Sequence, residues 1–388
     1  MTATPLQPHV AIASGGTGGH LYPGLAVGER LLEHGAAVTL VVSEREIDRQ
    51  GVRGAAGFGV LALPAVGFSL RGGWAFLRGA WTAYRQARVA FANRPPAALL
   101  CMGGFTSAPP AAAARRLGVP VFLHEANAVP GRANRWLARQ VRRGYVCFPE
   151  AVRRLRLREV EVVGMPVRRQ FRPADAGACR MALGLDPARR VLLVMGGSQG
   201  ARGVNEAIVQ AAPALAAGVN GLQFLHLTGS ADEGRVRAAY ANAGIRAVVR
   251  AFLTEMELAL GAADAAVARA GASSAAELAA LRVPALLIPY PYAADNHQEA
   301  NARALEAAGA ARWLPQAEAT AGRLAGEVSA LLADANLRAR LRAGWAAWHR
   351  PDADRVLADD ILRLTTGAER FARTVPIERS PASAPTTA

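Results

Sequence analysis

The sequence predicts an α/β protein built from two similar domains that face each other across a cleft. An apolar run at 10–13 is followed by a glycine-rich turn and a helical pattern, and the same order begins again at 191–195. Residues 171–177 between the two halves have the composition of a linker. A length of 388 residues suits two domains, and 52% hydrophobic residues are enough to fill two cores.

The first glycine turn, Gly-Gly-Thr-Gly-Gly-His at 15–20, is typical of a loop that binds an anion. Glycines let backbone N–H groups approach an anion closely, and the start of a helix adds a partial positive charge. A dinucleotide fingerprint would need a third glycine where Leu21 stands, so a nicotinamide cofactor is disfavoured. His20 is either a base that faces a substrate or part of a structural turn.

The charge balance points to an anionic partner. The 45 basic residues, all of them arginine, outnumber the 30 acidic residues and give a net charge of +15. Such a charge suits a phosphate-bearing substrate, an acidic lipid surface or a nucleic acid. The basic runs contain no nucleic-acid recognition module, which disfavours the nucleic acid.

The cysteines and apolar stretches predict the compartment. Three scattered cysteines, Cys101, Cys147 and Cys179, do not make a disulfide framework or a metal cluster, which favours a reducing cytosol. The first nine residues lack the pattern of a secretory signal, and prolines and glycines interrupt the long uncharged stretch at 95–114. We therefore expect any contact with a membrane to be at its surface.

One segment of the first half has a pattern that suits such a surface. After a predicted strand at 38–42 and a solvated Glu44, residues 70–88 combine aromatic residues at helical spacing with arginines. Aromatic rings beside cations fit the headgroup region of an anionic bilayer, although helices packed on a sheet also carry aromatic stripes. The residues expected to touch lipid are Arg71, Trp74, Leu77, Arg78 and Trp81.

Two further strands of the first half lead to candidate site residues. A strand at 98–102 precedes a second glycine turn, and a strand at 119–123 precedes His124, Glu125 and Asn127. Open α/β sheets bind ligands at the carboxyl ends of their strands, so these polar side chains are candidates for a site.

The end of the first half is more regular. Arginines from 132 to 143 predict one helix with a basic face, and residues 160–163 predict a last strand. We place the domain boundary after Arg168.

The second half begins with a glycine turn that suits a diphosphate. Residues 196–203 follow the strand at 191–195 and open a helix near Val204. The backbone amides of this turn and the Ser198 hydroxyl have the chemistry to cradle phosphates. Further strands are predicted at 222–229 and 247–253.

Two later segments offer polar groups after apolar strands. Ser274 and Glu277 have the spacing of a capping box, but the Glu277 carboxylate could instead accept the hydroxyls of a ribose. The Asp, Asn, His and Gln side chains at 295–301 are donors and acceptors suited to sugar hydroxyls. A metal site is disfavoured, because His297 is the only favoured soft ligand in that cluster.

Six motifs occur in a fixed order, at 15–20, 102–105, 124–127, 196–201, 269–272 and 295–298 with Asn301. Together they resemble the MurG family of N-acetylglucosaminyltransferases. The resemblance implies the GT-B fold, in which two Rossmann-like, doubly wound domains face a central cleft. It implies domains at 1–168 and 169–347, and a helix at about 348–364 that packs back on the first domain. The composition of 365–388 indicates a disordered tail.

The resemblance also implies a reaction. N-acetylglucosamine would pass from UDP-N-acetylglucosamine, with inversion, to the C4 hydroxyl of undecaprenyl-diphosphate-linked N-acetylmuramoyl pentapeptide (lipid I), giving lipid II for peptidoglycan. It implies no cofactor, no obligatory metal and no nucleic acid. The protein would lie peripherally on the cytoplasmic face of the cell membrane, against an anionic surface. Its oligomeric state is left open.

The roles of single residues follow from their positions in the family motifs. His20 matches the position proposed as the base, and Glu125 would orient it or share its role. At Arg168 a guanidinium would offset the charge of the leaving diphosphate. The positions that match contacts to UDP-N-acetylglucosamine are Thr17, Gly18, Gly19, Asn127, Arg168, Ser198, Leu253, Ala272, Ser273, Ser274, Ala275, Ala276, Glu277 and Gln298.

Three residues depart from the family pattern. Phe105, Met165 and Ala126 stand where some family members have tyrosine, asparagine and glutamine, which affects acceptor contacts rather than the class of reaction.

Two other functions are alternatives to this transferase. A UDP-N-acetylglucosamine 2-epimerase shares the two-domain plan and needs no lipid. A scaffold that only binds the sugar nucleotide is disfavoured, since His20, Glu125 and Gln298 are present.

Overall fold

The chain forms two parallel β-sheets with helices on both faces, as the sequence predicts. The computed structural model describes residues 7–16, 18–45, 56–64, 73–197 and 200–365. The predicted contacts Thr17, Ser198 and Arg71, and the predicted tail from residue 366 onward, lie outside the described residues.

Among the described residues, seven strands make the first sheet. They are β1 His9–Ala13, β2 Ala37–Ser43, β3 Gly59–Leu63, β4 Ala98–Cys101, β5 Val121–Glu125, β6 Arg143–Val146 and β7 Val160–Val162. Their order across the sheet is β3-β2-β1-β4-β5-β6-β7, with every pair parallel. All residues of β4 and β5 are buried, because both faces of the sheet are covered.

The helices of this first domain are α1 Gly18–Glu33, α2 Gly73–Asn93, α3 Ala108–Arg116, α4 Arg132–Leu137 and α5 Val152–Leu155. Leu21, Val27 and Leu31 of α1 are buried in the core on one face of the sheet. Ala83, Ala87 and Phe91 of α2 are buried in the core on the other face. The strands therefore read as short apolar runs rather than as alternating patterns.

The second domain repeats this plan on six strands. They are β8 Arg190–Met195, β9 Leu222–Leu227, β10 Ala247–Arg250, β11 Ala265–Ala268, β12 Ala285–Leu287 and β13 Arg312–Trp313. Their order is β10-β9-β8-β11-β12-β13. The helices are α6 Ala176–Ala182, α7 Arg202–Gly218, α8 Glu233–Asn242, α9 Met256–Ala262, α10 Ala272–Leu281, α11 His297–Ala307, α12 Ala321–Ala333 and α13 Ala335–Trp348.

The last helix, α14 Ala353–Thr365, packs against α1 of the first domain. Its buried Leu357 and Ile361 join the first core. Asp354 accepts a hydrogen bond from Arg30 Nε at 2.6 Å. Asp360 accepts hydrogen bonds from the Tyr145 hydroxyl at 2.6 Å and from Arg143 at 2.5 Å, and it also pairs with Arg363. The chain thus crosses between the domains twice.

Two sequence predictions about local structure are wrong. Strand β5 runs through His124 and Glu125, which are 0% and 1% exposed. These residues therefore form the carboxyl end of the strand and do not lie in a loop after it. The arginines from 132 to 143 do not share a helix, because α4 ends at Leu137 and Arg143 begins β6. The segment from 321 to 365 forms three helices, α12, α13 and α14, and Asp334 caps α13. No strand predicted from the sequence corresponds to β3.

We expect Asp360→Ala to lower the free energy of unfolding by about 3 kcal/mol, because it leaves the buried Tyr145 hydroxyl and the Arg143 guanidinium without their carboxylate. Urea denaturation at pH 7 measures this loss. The control is Asp359→Ala on the same helix, whose exposed pairs with His34 and Arg355 contribute less than about 1 kcal/mol. Equal losses in the two variants would contradict the account.

Candidate active site

A cavity of about 810 Å³ lies between the two domains, where the carboxyl ends of both sheets meet. The predicted site residues that line it are Gly18, Gly19, His20, Glu125, Asn127, Arg168, Leu253, Ala272, Ser273, Ser274, Glu277 and Gln298. Ala275 and Ala276, also predicted, are 0% exposed inside α10 and do not line the cavity. Twelve residues predicted for the site, from both halves of the chain, thus lie along one cavity.

His20 lies in the first turn of α1, which begins at Gly18 rather than after the histidine. Its half-buried ring packs against the second glycine turn: a Cβ on Gly104 would lie 3.0 Å from His20 Cε1. Gly103 and Gly104 both have positive φ, at 107° and 79°, a conformation that favours glycine. The turn after β4 is therefore shaped to hold the imidazole of His20 at the wall of the cavity.

Glu125 is a buried carboxylate whose two oxygens are occupied by protein donors. Oε1 accepts from the Asn127 amide nitrogen at 2.8 Å and from Asn127 Nδ2 at 3.2 Å. Oε2 accepts from Gly131 N at 3.1 Å and Asn134 Nδ2 at 2.7 Å. Burial raises the pKa of Glu125, and these hydrogen bonds oppose the rise. The carboxylate shapes the loop at 126–134 rather than presenting a free oxygen to a substrate.

His124 faces away from the cavity and has a structural contact. Its Nε2 lies 2.9 Å from the carbonyl oxygen of Gly164, at the start of the connection to the second domain. Burial lowers the pKa of His124 to about 4, so its ring is neutral at pH 7. Of the two neighbouring histidines, only His20 lines the cavity.

The second domain brings the start of α10 to the same cavity. Its N-cap is Gly271, and the first helical hydrogen bond runs from Ala275 N to Gly271 O, so the N–H groups before it lack partners within the helix. Ser273 Oγ donates to Gly19 O in the first turn of α1, at 3.1 Å. The positive ends of α1 and α10 therefore meet across the cavity, an arrangement that attracts an anion.

Glu277 does not close a capping box, because Ser274 lies inside α10. Its Oε1 lies 3.8 Å from an Arg168 guanidinium nitrogen, and each side chain is 16% exposed. Arg168 in turn stacks on the ring of Tyr22, 4.2 Å from its centroid, and lies 5.0 Å from that of Phe171. Burial raises the pKa of Glu277 to about 7, although Arg168 opposes the rise. Glu277 therefore changes charge near neutral pH.

Two loops supply a further part of the second-domain lining. Leu253 is half-buried beside Phe252, which is 53% exposed. Gln298 Oε1 accepts a hydrogen bond from Tyr290 N at 2.9 Å, which fixes the side chain at the start of α11. Asp295 has a left-handed conformation, with φ at 52°, and pairs with Arg135 of the first domain at 2.7 Å. Both loops thus reach the domain boundary.

Sequence reasoning missed several residues of the site. Tyr22, Phe252 and Asn134 line the cavity, yet none of them stands in a motif that the sequence analysis singled out. Asn134 is a helical residue whose donation to Glu125 has no signature in spacing. Among the described residues, no group of three or more His, Cys, Asp or Glu side chains is placed to hold a metal ion.

The aromatic segment of α2 lies on a surface beside the cavity. Trp74, Leu77 and Trp81 are 88%, 59% and 61% exposed, so they do not pack on the sheet, and Arg78 is exposed among them. Leu77 and Trp81 line an apolar cavity of about 610 Å³, which shares Phe105 with the site between the domains. We call the exposed face that carries Trp74, Leu77, Arg78 and Trp81 the α2 surface. No described helix combines the length and apolar character needed to cross a membrane.

The comparisons with known proteins agree with this architecture. The glycosyltransferase family 28 N-terminal and C-terminal domain models match residues 10–146 and 191–345. The UDP-N-acetylglucosamine--N-acetylmuramyl-(pentapeptide) pyrophosphoryl-undecaprenol N-acetylglucosamine transferase of Pelobacter propionicus is 40% identical, covering 91% of this chain and 99% of the relative. The transferase of the same name from Sorangium cellulosum is 41% identical, covering 95% of this chain and 91% of the relative. The crystal structure of Acinetobacter baumannii MurG matches with a TM-score of 0.71 at 26% identity, covering 92% and 99%.

Glu277 makes folding stability depend on pH. Its folded-state pKa of about 7 lies above the ordinary value of 4.5, so the stability of the wild type falls as pH rises through that interval. We expect Glu277→Gln to remove this loss, so that the variant gains up to about 3 kcal/mol over the wild type between pH 4 and pH 8. Urea denaturation of both proteins at several pH values measures the difference; parallel curves would contradict it.

Proposed function

Because the chain belongs to glycosyltransferase family 28, and to the MurG group within it, we propose that it transfers N-acetylglucosamine from UDP-N-acetylglucosamine to lipid-linked N-acetylmuramoyl pentapeptide. The observation that carries this proposal is the cavity in which the first turns of α1 and α10 meet, with His20 on one side and Glu277 on the other. The relatives at about 40% identity carry the name of this transferase, which favours it over a 2-epimerase.

In this proposal the donor nucleotide binds mainly to the second domain. The uracil lies at the backbone of Leu253, and the Glu277 carboxylate accepts the ribose hydroxyls. The diphosphate lies at the start of α10 and the turn after β8, where backbone N–H groups and the helix dipole favour negative charge. The sugar then reaches Gln298 and, across the boundary, Asn127. Each of these four residues lines the one cavity.

The proposed reaction is a single displacement with inversion. The C4 hydroxyl of the acceptor attacks the anomeric carbon as the bond from that carbon to the diphosphate oxygen breaks. The hydroxyl proton passes to His20, and the electron pair of the broken bond leaves with UDP. The start of α10 and the Arg168 guanidinium offset the charge of the leaving group. No cofactor or metal takes part in these steps.

We assign Glu125 a positioning role in this scheme. Its oxygens already accept four hydrogen bonds from the loop at 126–134, so abstracting a proton would require breaking them. The Asn134 side chain that it holds lies beside Gly103, and that glycine turn supports His20. Glu125 thus acts on the base through its surroundings.

We also propose that the α2 surface rests on the cytoplasmic face of the cell membrane. A lipid-linked acceptor keeps its chain in the bilayer, so the protein must work at that boundary. The exposed Trp74, Leu77 and Trp81 supply an apolar patch, and exposed Arg78 and Arg85 supply charge for acidic headgroups. The shared Phe105 connects this patch to the site between the domains.

We expect His20→Ala to lower kcat for transfer of radiolabelled N-acetylglucosamine to a short-chain acceptor analogue by roughly a hundredfold or more, as for loss of a general base. The Kd for UDP should stay within about twofold, because the nucleotide binds the other domain. The control is His34→Ala, an exposed histidine just after α1. Full activity in His20→Ala would refute its role, and turnover of the sugar nucleotide without acceptor would favour the 2-epimerase.

We expect the double variant Trp74→Ser, Trp81→Ser to bind phosphatidylglycerol-containing vesicles at least about tenfold more weakly than the wild type, because it removes two exposed indole rings. Vesicle sedimentation measures the binding. The control is Met181→Ser, which removes an exposed apolar side chain from the second domain and should leave binding unchanged. Equal binding by all three proteins would refute the membrane contact.

A further inference from the structure

Asn301 extends a fully buried amide from the second domain to the first. It lies in α11 and is 0% exposed. Its Nδ2 donates to Asn127 Oδ1 at 3.0 Å and to Ala270 O at 3.0 Å, and its Oδ1 accepts from Ala128 N at 2.9 Å. Both amide protons and the amide oxygen are therefore engaged, and two of these hydrogen bonds cross the domain boundary.

The contact fixes the orientation of the Asn127 side chain. Asn127 Nδ2 donates to Glu125 Oε1 at 3.2 Å, while its Oδ1 accepts from Asn301. Rotating the Asn127 amide by half a turn would place like groups against like on both sides. Asn127 is half-buried and lines the cavity. The hydrogen-bonding positions that remain on its amide therefore have one defined direction.

The same amide also joins the donor side of the site. Ala270 precedes Gly271, the N-cap of α10, and its carbonyl oxygen accepts from Asn301. One side chain therefore links the start of α10 to the loop that follows β5.

Other contacts across the cleft are more exposed. Arg135 and Asp295 pair at 2.7 Å, but their side chains are 44% and 27% exposed, so water weakens the attraction. A buried amide that loses its partner is destabilised more than an exposed ion pair. Loss of the Asn301 contact therefore destabilises the boundary between the domains more than loss of the Arg135–Asp295 pair.

We infer that Asn301 is a positioning residue for the transfer reaction: by binding Asn127, Ala128 and Ala270 together, it holds the Asn127 amide toward the transferred sugar. This inference rests on the proposed function. It assigns Asn301 no contact with substrate, since its polar atoms are buried and engaged with protein.

The first test compares Asn301→Ala with Gln223→Ala. Gln223 is a matched control, because it is also 0% exposed and its amide bonds to Asp186 N at 3.0 Å and Asp186 O at 2.7 Å, within the second domain. Both variants should lower the melting temperature. Only Asn301→Ala should lower kcat, by about tenfold to a hundredfold, with the Kd for UDP within about twofold. Equal kcat in the two variants would overturn the inference.

A double-mutant cycle with Asn127→Ala separates positioning from general damage. If Asn301 acts through Asn127, the double variant should lose little more kcat than Asn127→Ala alone, within about threefold. Additive losses would mean that Asn301 acts elsewhere, and the inference would fail.

Amide hydrogen exchange tests the loop without any transfer assay. In Asn301→Ala the Ala128 amide should exchange at least about tenfold faster, while Gln223→Ala should leave it unchanged. An unchanged Ala128 rate overturns the inference whether or not the wild type transfers sugar. If the wild type shows no transfer but Ala128 exchanges faster in Asn301→Ala, the proposed function fails, and with it the catalytic part of the inference.

Discussion

The buried carboxylate of Glu125 is the constraint on which the rest of the site depends. A carboxylate removed from water is strongly destabilising unless donors surround it, and four N–H groups from the loop at 126–134 do so here. That requirement folds the loop into one shape. Asn134 is thereby held beside Gly103 and the base candidate His20, and Asn127 is held toward the second domain.

The sequence predicts the architecture and twelve of the residues that line the cavity, because both follow from local patterns. Apolar strands, glycine turns and helix starts repeat in the two halves, and the carboxyl ends of parallel strands meet at one edge. Contacts between distant residues leave no such pattern. The spacing of Ser274 and Glu277 suggests a cap, but the tertiary position of Arg168 decides what Glu277 contacts. Burial likewise extends β5 through Glu125, although a polar dipeptide there favours a loop.

The high arginine content is also explained only in part by an anionic partner. Arg269 is 8% exposed and donates to the carbonyl oxygens of Ile288 and Pro289, and burial lowers its pKa to about 10. Arg143 and Arg30 anchor α14 on the first domain. A planar guanidinium can satisfy several acceptors at once, so part of the positive charge is structural. The arginines of α2 are among the exposed ones that an acidic surface could contact.

Two kinds of contact join the domains: apolar packing and polar interactions. At the two crossings between the domains, Gly164 packs closely on Arg350, and Phe148 lies 5.3 Å from Trp348 within a shared apolar cluster. Across the cavity the contacts are hydrogen bonds and ion pairs, such as those of Asn301 and Arg135. Apolar packing has no preferred direction, whereas a buried hydrogen bond has a defined geometry and orients the groups that it joins. The packing at the crossings therefore stabilises the contact between the domains, and the hydrogen bonds of Asn301 set the direction of the Asn127 amide.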